Sequence, residues 1–229
     1  MRSNMGAHAL LLNQEGAQLM DLGHPLASVA SPVTVRVLEV LAGTTRPLAG
    51  REVARISGES RASVWRSLEK LAEAGLVMRD DRSVATYYLA NRDHLAWPAI
   101  ESLVRLRSQL VDRIRDEIER WPVQPLHASI FGSFARADAG PHSDIDILLV
   151  RPAHLDEDTW DTQVDTLRSL AFTWTGNDMQ PFVVDPARLA EHIRANDPLV
   201  TSWLADSVHL TGGPLRPLAN AVAHEGVEA

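Results

Sequence analysis

The chain contains no cysteine, and lysine is almost absent from it. Without cysteine, its 229 residues form no disulfide and no thiolate metal site. No apolar run reaches the length of a membrane span, and the N-terminus lacks the charged, apolar and small segments of a secretion signal. We therefore expect a cytoplasmic protein with no membrane partner. Lys70 is the only lysine, and this bias towards arginine, with abundant Ala and Asp, indicates a GC-rich genome.

Length and composition are those of a globular protein with room for two small domains, each able to bury a core. Hydrophobic residues make up 45% and charged residues 23% of the chain, and the net charge is −8. That charge is uneven. From Arg46 to Arg92 there are nine Arg and Lys against six Asp and Glu, which gives +3, while the remainder, with 13 basic and 24 acidic residues, carries −11. A basic segment on an acidic chain indicates contact with nucleic acid.

Residues 31–92 have the pattern of three helices followed by a β-hairpin. Ser31 and Ser60 are predicted N-caps, since each stands directly before a helical apolar stripe. The predicted elements are helices over 32–43, 48–56 and 61–74, and strands over 76–79 and 85–89 around a turn at 80–83. This arrangement predicts a winged helix-turn-helix.

The stretch SRASVWRSLEKLAEAGLV, residues 60–77, resembles the recognition helix and wing turn of bacterial winged-helix repressors of the MarR/ArsR kind. The resemblance covers residues 31–92 and implies that the third helix enters the major groove of double-stranded DNA, and that the protein forms a homodimer. Trp65 and Trp97 are predicted to be core or interface aromatics. A module for dimerisation or protein binding is the alternative. The residues predicted to contact DNA are Arg61, Ser63, Arg66 and Lys70 on the helix, and Arg79 and Arg82 on the wing.

Apolar residues at helical spacing continue over 97–121 and predict one long amphipathic helix, which links the domains, dimerises or does both. Pro122 ends it. The predicted division of the chain is an N-terminal arm (1–30), a DNA-binding domain (31–92), a linker or dimerisation helix (93–122), a second domain (123–215) and a flexible tail (216–229).

The second domain contains the stretch IFGSFARADAGPHSDIDILLV, residues 130–150. Gly132 follows an apolar strand and lets the backbone turn sharply. Ser133 is predicted to cap a helix whose free N–H groups attract phosphate. Asp144 and Asp146 open a second apolar strand and share one face of it, because side chains alternate along a strand. Two adjacent carboxylates repel each other unless a cation lies between them, and their hard oxygens suit Mg²⁺, so the stretch predicts a site for a nucleoside triphosphate with Mg²⁺.

The same stretch resembles the signature of the polymerase-β-like nucleotidyltransferase superfamily, in particular its minimal, MNT-type branch. That signature is Gly-Ser, a spacer of about ten residues and Asp-x-Asp. The resemblance covers residues 125–185 and implies that Asp144 and Asp146 bind one or two Mg²⁺ ions. The sequence departs from the family at Ala137, where the family usually has Gly, and this departure alters the turn. The predicted nucleotide contacts are Gly132, Ser133, Arg136 and Ser143.

The third strand is where the superfamily usually places another carboxylate, which shares a metal and helps to deprotonate the attacking hydroxyl. By register Gln180 stands at that position, with Asp178 two residues earlier on the same face. If Asp178 supplies this third carboxylate, the catalytic triad is complete. If Gln180 holds the position, metal affinity and base catalysis fall, and such catalysis is commonly worth ~10²–10⁴-fold. Asp185 is the predicted N-cap of the next helix.

These patterns together predict an α+β protein. It has an N-terminal winged helix of three helices plus a β-hairpin, a long linker helix, and a C-terminal nucleotidyltransferase domain with a small mixed α/β sheet. The predicted function is Mg²⁺-dependent transfer of a nucleoside monophosphate from a triphosphate to an acceptor that the resemblance does not choose. The alternative is a DNA-binding transcription regulator whose second domain only binds nucleotide or is inactive.

Overall fold

A computed structural model describes residues 23–24, 30–136, 140 and 142–225. The chain divides into two compact units, one of residues 24–109 and one that holds the chain from Leu110 onward. The fold class is α+β, as predicted. The predicted N-terminal arm lies outside the described residues except for residues 23, 24 and 30. Within the described ranges no helix is both long enough and apolar enough to cross a membrane.

The first unit is a winged helix-turn-helix. Its described elements are α1 (Pro32–Ala42), β1 (Leu48–Ala49), α2 (Gly50–Ser57), α3 (Arg61–Glu73), β2 (Val77–Asp81), β3 (Thr86–Ala90) and α4 (Trp97–Val104). The strands form an antiparallel sheet in the order β1-β3-β2. Ser31 and Ser60 accept hydrogen bonds from backbone N–H groups of the first turns of α1 and α3, so both predicted N-caps are confirmed.

Two predicted boundaries in this unit were wrong. Leu48 and Ala49, expected to begin the second helix, form strand β1 and pair with Tyr88 and Tyr87 of β3. Both are buried, and their pairing partner lies far along the chain, where a local helical pattern cannot reveal it. The hairpin turn also falls two residues later than expected, since Asp80 and Asp81 still pair with β3.

The predicted linker helix is divided into α4 and α5 (Leu106–Glu119), with the break at Arg105. The apolar residues of α4, among them Ile100 and Leu103, pack against the core of the first unit. The apolar residues of α5 belong to the core of the second unit: Leu110, Val111, Ile114 and Ile118. The apolar stripe over residues 97–121 is therefore divided between two separate cores. Because the helix is interrupted at Arg105, α4 packs in one core and α5 in the other.

The second unit is built on a four-stranded mixed sheet. Its further described elements are β4 (His127–Phe131), α6 (Gly132–Ala135), β5 (Ile145–Val150), α7 (Glu157–Thr175), β6 (Met179–Val184), α8 (Pro186–Arg194), α9 (Pro198–Asp206), β7 (Val208–Gly212) and α10 (Leu215–Glu225). The strand order is β6-β5-β4-β7, in which β5 and β6 are parallel and the other pairs antiparallel. Asp185 accepts a hydrogen bond from the backbone N–H of Arg188 and so caps α8 as predicted.

Both faces of this sheet are covered. One face packs against α5 and α7, and the other against α8, α9 and α10. The predicted flexible tail was therefore wrong over residues 216–225, which lie in α10. Leu215, Ala219 and Val222 are spaced as an apolar helical stripe and are buried on the second face of the sheet. Residues 226–229 lie outside the described part of the chain.

Candidate functional site

The bend after β4 and the second carboxylate of β5 lie in direct contact. Phe131 is the cross-strand partner of Asp146, and Gly132 follows it. Gly132 has φ +72°, in the left-handed region that glycine adopts without strain. A Cβ at this position would collide with Oδ2 of Asp146. The glycine is therefore needed both for the turn and for the close approach of the carboxylate to the backbone.

Helix α6 is a single turn that starts at Gly132 and has Phe131 as its N-cap residue. The prediction that Ser133 caps this helix was wrong, because the positive φ of Gly132 turns the chain one residue earlier. Phe134 is fully buried against the core beneath α5 and α7 and anchors the turn. Ser133 is partly exposed. Since so short a helix sums few peptide dipoles, its own attraction for phosphate is small.

Asp146 carries the perturbed carboxyl group of the site. It is half-buried, whereas Asp144 lies exposed just before β5. Burial, and then the negative charge of Asp144, raise the pKa of Asp146 above its ordinary value, while the positive charge of Arg136 acts in the opposite direction. A divalent cation between the two carboxylates would relieve their repulsion, and carboxylate oxygens are the ligands that Mg²⁺ prefers. The donor chemistry therefore fits Mg²⁺.

Gln180 occupies the third-strand position next to Asp146, since the parallel register of β5 and β6 pairs the two residues directly. Asp178 precedes β6, and its carbonyl oxygen accepts a hydrogen bond from the N–H of Ile145 at 2.9 Å. It also lines a groove of about 570 Å³ beside α7, with residues such as Arg168. No three His, Asp or Glu side chains of the described residues cluster as a metal site. In this part of the chain the geometry offers two carboxylates and a neutral amide at the candidate site.

A hydrogen-bonded turn holds the start of β5. The Oγ of Ser143 accepts a hydrogen bond from the N–H of Gly140 at 2.9 Å, so this hydroxyl closes the turn. The carbonyl of Ser143 accepts a bond from Nδ2 of Asn177 at 3.1 Å. Asn177 is buried, and its N–H donates to Oγ1 of Thr175 at 3.0 Å. Asn177 thus positions the residues that lead into Asp144. In the sequence it is recognisable only as part of a Gly-Asn turn.

On α3, the residues predicted to face DNA lie mostly at the surface. Arg61, Arg66 and Lys70 are exposed, and Ser63 is partly exposed and accepts a hydrogen bond from Nη2 of Arg66 at 3.4 Å. Trp65 is 59% exposed and so is not a core residue, which leaves the other half of its prediction, an interface aromatic, as a prediction. The helix therefore presents an aromatic ring among its basic side chains.

On the wing, both predicted arginines are held in ion pairs. Arg79 contacts Glu69 at 2.6 Å and Asp81 at 3.1 Å. Arg82 contacts Asp80 at 2.8 Å and also lies over the ring of Tyr87. Trp97 is buried in the core of this unit, as predicted.

Comparison with known protein families gives the same division of the chain. The family model described as the IclR helix-turn-helix domain matches residues 33–81, and the model described as the nucleotidyltransferase domain matches residues 111–198. The chain therefore carries a helix-turn-helix domain fused to a nucleotidyltransferase domain. The sequence resemblance was to MarR/ArsR repressors, whereas the matching helix-turn-helix model is of the IclR type.

Two solved structures are similar to parts of the chain. The crystal structure of a toxin-antitoxin with AMP-PNP is 18% identical, with a TM-score of 0.36 over 52% of this chain and 87% of that one. The crystal structure of human N-acetylserotonin methyltransferase in complex with SAM is 16% identical, with a TM-score of 0.26 over 54% of this chain and 38% of that one. These TM-scores are too low to carry information about function. No curated protein matches the chain.

Proposed function

We propose that the protein transfers a nucleoside monophosphate from a nucleoside triphosphate to an acceptor in the presence of Mg²⁺. We further propose that its winged helix binds double-stranded DNA. The observation that carries the first proposal is the contact of Gly132 with Asp146, next to the charge of Asp144. The nucleotidyltransferase domain over residues 111–198 supports a triphosphate as the substrate.

Asp144 and Asp146 are the residues that would hold Mg²⁺. When bound there, the ion neutralises negative charge on the phosphates and on the departing pyrophosphate. Ser133 directly follows Gly132, whose backbone Asp146 approaches closely. The hydroxyl of Ser133 can donate a hydrogen bond to a phosphate oxygen, and Arg136 supplies positive charge beside the carboxylates.

In the transfer step, a nucleophilic oxygen of the acceptor forms a bond to the α-phosphorus. The bond from that phosphorus to the oxygen bridging to the β-phosphate breaks, and pyrophosphate leaves. The proton of the acceptor passes to water or to a base of the acceptor itself, because the amide of Gln180 does not take up a proton at neutral pH. Since a positioned general base is worth ~10²–10⁴-fold, we expect transfer to be slow with acceptors that bring no base.

The test compares triphosphates labelled at the α- or at the γ-phosphate, with small molecules, proteins and RNA as candidate acceptors. We expect Mg²⁺-dependent transfer of the α-label only, because the β- and γ-phosphates leave together. Asp144→Asn and Asp146→Asn should abolish transfer. Asp161→Asn, which removes an exposed carboxylate of α7, is the matched control and should retain it. Transfer that persists in both site variants contradicts the proposal.

The amide at position 180 favours a second candidate function, a DNA-binding transcription regulator whose nucleotide site binds but does not react. Gln180 lies in direct register with Asp146, where a carboxylate would complete a catalytic set. In that case nucleotide with Mg²⁺ changes the affinity for DNA, and by thermodynamic linkage DNA changes the affinity for nucleotide by the same factor. No α-label is then transferred to any acceptor. The two outcomes separate the functions.

A further inference from the structure

Two adjoining cavities open on the winged helix between α2, α3 and β3. The larger, of about 630 Å³, is lined by residues that include Arg51, Arg55 and Arg61. The smaller, of about 300 Å³, shares Arg51 and Arg61 with it and adds Trp65 and Val84. Arg51 and Arg55 both lie on α2 and are not among the DNA contacts that the sequence predicts. This surface therefore carries two basic residues, Arg51 and Arg55, to which the proposed function assigns no role.

The carboxylates of the larger cavity are already paired with arginines outside its lining. Glu52 contacts Arg46 at 2.5 Å, and Glu59 contacts Arg36 at 3.3 Å. Arg51, Arg55 and Arg61 are exposed and, in contrast, take part in none of the ion pairs among the described residues. The charge of Arg55 also helps to lower the pKa of Glu52, but Glu52 already pairs with Arg46. The three guanidinium groups therefore outnumber the carboxylates that line the larger cavity.

The wing has the opposite charge balance. Glu69, Asp80 and Asp81 surround its two arginines, so three carboxylates face two guanidinium groups. Glu69 also accepts a hydrogen bond from the hydroxyl of Tyr88 at 2.9 Å, and Asp81 one from Thr86 at 2.7 Å. A phosphate would have to compete with these ion pairs for the arginines. Of the excess of +3 between Arg46 and Arg92, α2 and α3 together carry +2, and residues 77–82 of the wing carry none.

We propose that Arg51, Arg55 and Arg61 bind the phosphates of double-stranded DNA, and that the wing does not. This inference rests on the proposed DNA binding and names the residues that carry it. Arg51 and Arg55 are four residues apart and lie on one side of α2. Guanidinium groups bind phosphate oxygens in pairs of hydrogen bonds.

Two exposed apolar side chains complete the surface. Trp65 is 59% and Val84 86% exposed, and both line the smaller cavity beside Arg51 and Arg61. In a duplex held by its phosphates, they would meet sugars and the methyl groups of thymine. The flanking positive charge favours DNA over an apolar protein surface as the occupant.

The experiment measures the salt dependence with which the full chain binds a fluorescently labelled DNA duplex of mixed sequence. Log K falls as log salt concentration rises, and each phosphate contact contributes ~0.9 to the magnitude of that negative slope. We expect Arg51→Ala, Arg55→Ala and Arg61→Ala each to reduce the magnitude of the slope by about this amount. If an alanine variant does not fold, as judged by circular dichroism, the glutamine variant of the same arginine is measured instead.

Two controls separate local contact from net charge. Arg188→Ala removes one exposed guanidinium in α8 of the second unit and should leave the slope unchanged. The double variant Asp80→Asn with Arg82→Ala removes a wing ion pair without a change in net charge, and it should also leave the slope unchanged.

A wild-type salt dependence in the α2 and α3 variants, with a weaker salt dependence in the wing variant, would overturn the inference and leave DNA binding itself intact. If the wild-type chain binds no duplex even at low salt, the proposed DNA-binding function fails, and the inference fails with it. Binding that does not depend on salt would indicate docking through Trp65 and Val84 and would also overturn the inference.

Discussion

Replacement of Gly132 by alanine tests the contact on which the nucleotide site depends. The substitution introduces two separate effects at one position. A left-handed backbone at φ +72° is strained for any residue with a Cβ, which costs about 1–2 kcal/mol. In addition, the new methyl group would collide with Oδ2 of Asp146, so that the carboxylate must move.

Gly58 allows the two effects to be separated. It has the same φ of +72° at the end of α2, and no described atom outside Gly58 and its two chain neighbours lies within 4 Å of the position where its Cβ would be. Gly58→Ala therefore carries the backbone strain without a collision. We expect each variant to lose about 1–2 kcal/mol of unfolding free energy in its own unit.

Assays of nucleotide binding and transfer should distinguish the Gly132→Ala variant from the Gly58→Ala variant. A misplacement of a reacting or binding group by ~1 Å can cost ~10²-fold in rate. Gly132→Ala should therefore reduce Mg²⁺-dependent transfer or nucleotide affinity by about this factor, and Gly58→Ala should leave both unchanged. The assays are chemical denaturation followed by circular dichroism, and titration with a fluorescent triphosphate. Equal nucleotide affinity in both variants would refute the contact between the glycine and the carboxylate.

Three further predictions concern other positions. Gln180→Asp places a third carboxylate beside Asp146, so the melting temperature should fall without Mg²⁺ and rise more steeply as Mg²⁺ is added; an unchanged response to Mg²⁺ would argue against a metal there. Tyr88→Phe removes the hydroxyl that donates a hydrogen bond to Glu69, and whose pKa is raised to about 12 by burial and then by this bond; the change should cost about 1 kcal/mol in urea denaturation, and a variant as stable as wild type would contradict this. His127 is buried, donates from Nδ1 to the carbonyl of Gly213 at 2.8 Å, and has its pKa lowered by burial, so the unfolded chain takes up its proton more readily. Stability should therefore decrease as the pH falls below ~6.5, and the decrease should be smaller in His127→Gln; an equal decrease in both proteins would contradict the assignment.

Features that depend on local chemistry could be predicted from the sequence. Ser31, Ser60 and Asp185 each cap a helix because a short polar side chain can reach the N–H groups that follow it. The position of Gln180 beside Asp146 was expected from the resemblance to the nucleotidyltransferase superfamily, with Asp178 as the alternative, and the register of β5 and β6 pairs Gln180 with Asp146. The helix caps need only the residues nearby, whereas this pairing needed the known pattern of a family.

Features that depend on distant partners could not be predicted in this way. Strand β1 exists because Leu48 pairs with Tyr88, forty residues later in the chain. The ion pair of Arg79 with Glu69 joins the wing to α3, and it changes which arginines are left to meet a phosphate. Asn177 holds the start of β5 from the far end of α7. No pattern of neighbouring residues in the sequence predicts such contacts.

The most direct test of the proposed site is the affinity for a nucleoside triphosphate, measured by calorimetry with and without Mg²⁺. We expect the wild-type chain to bind in a Mg²⁺-dependent manner, and Asp146→Asn to lose at least ~1.4 kcal/mol of binding free energy, a factor of ten, while Asp161→Asn binds as wild type. Equal affinity of wild type and Asp146→Asn in the presence of Mg²⁺ would contradict the assignment of the site.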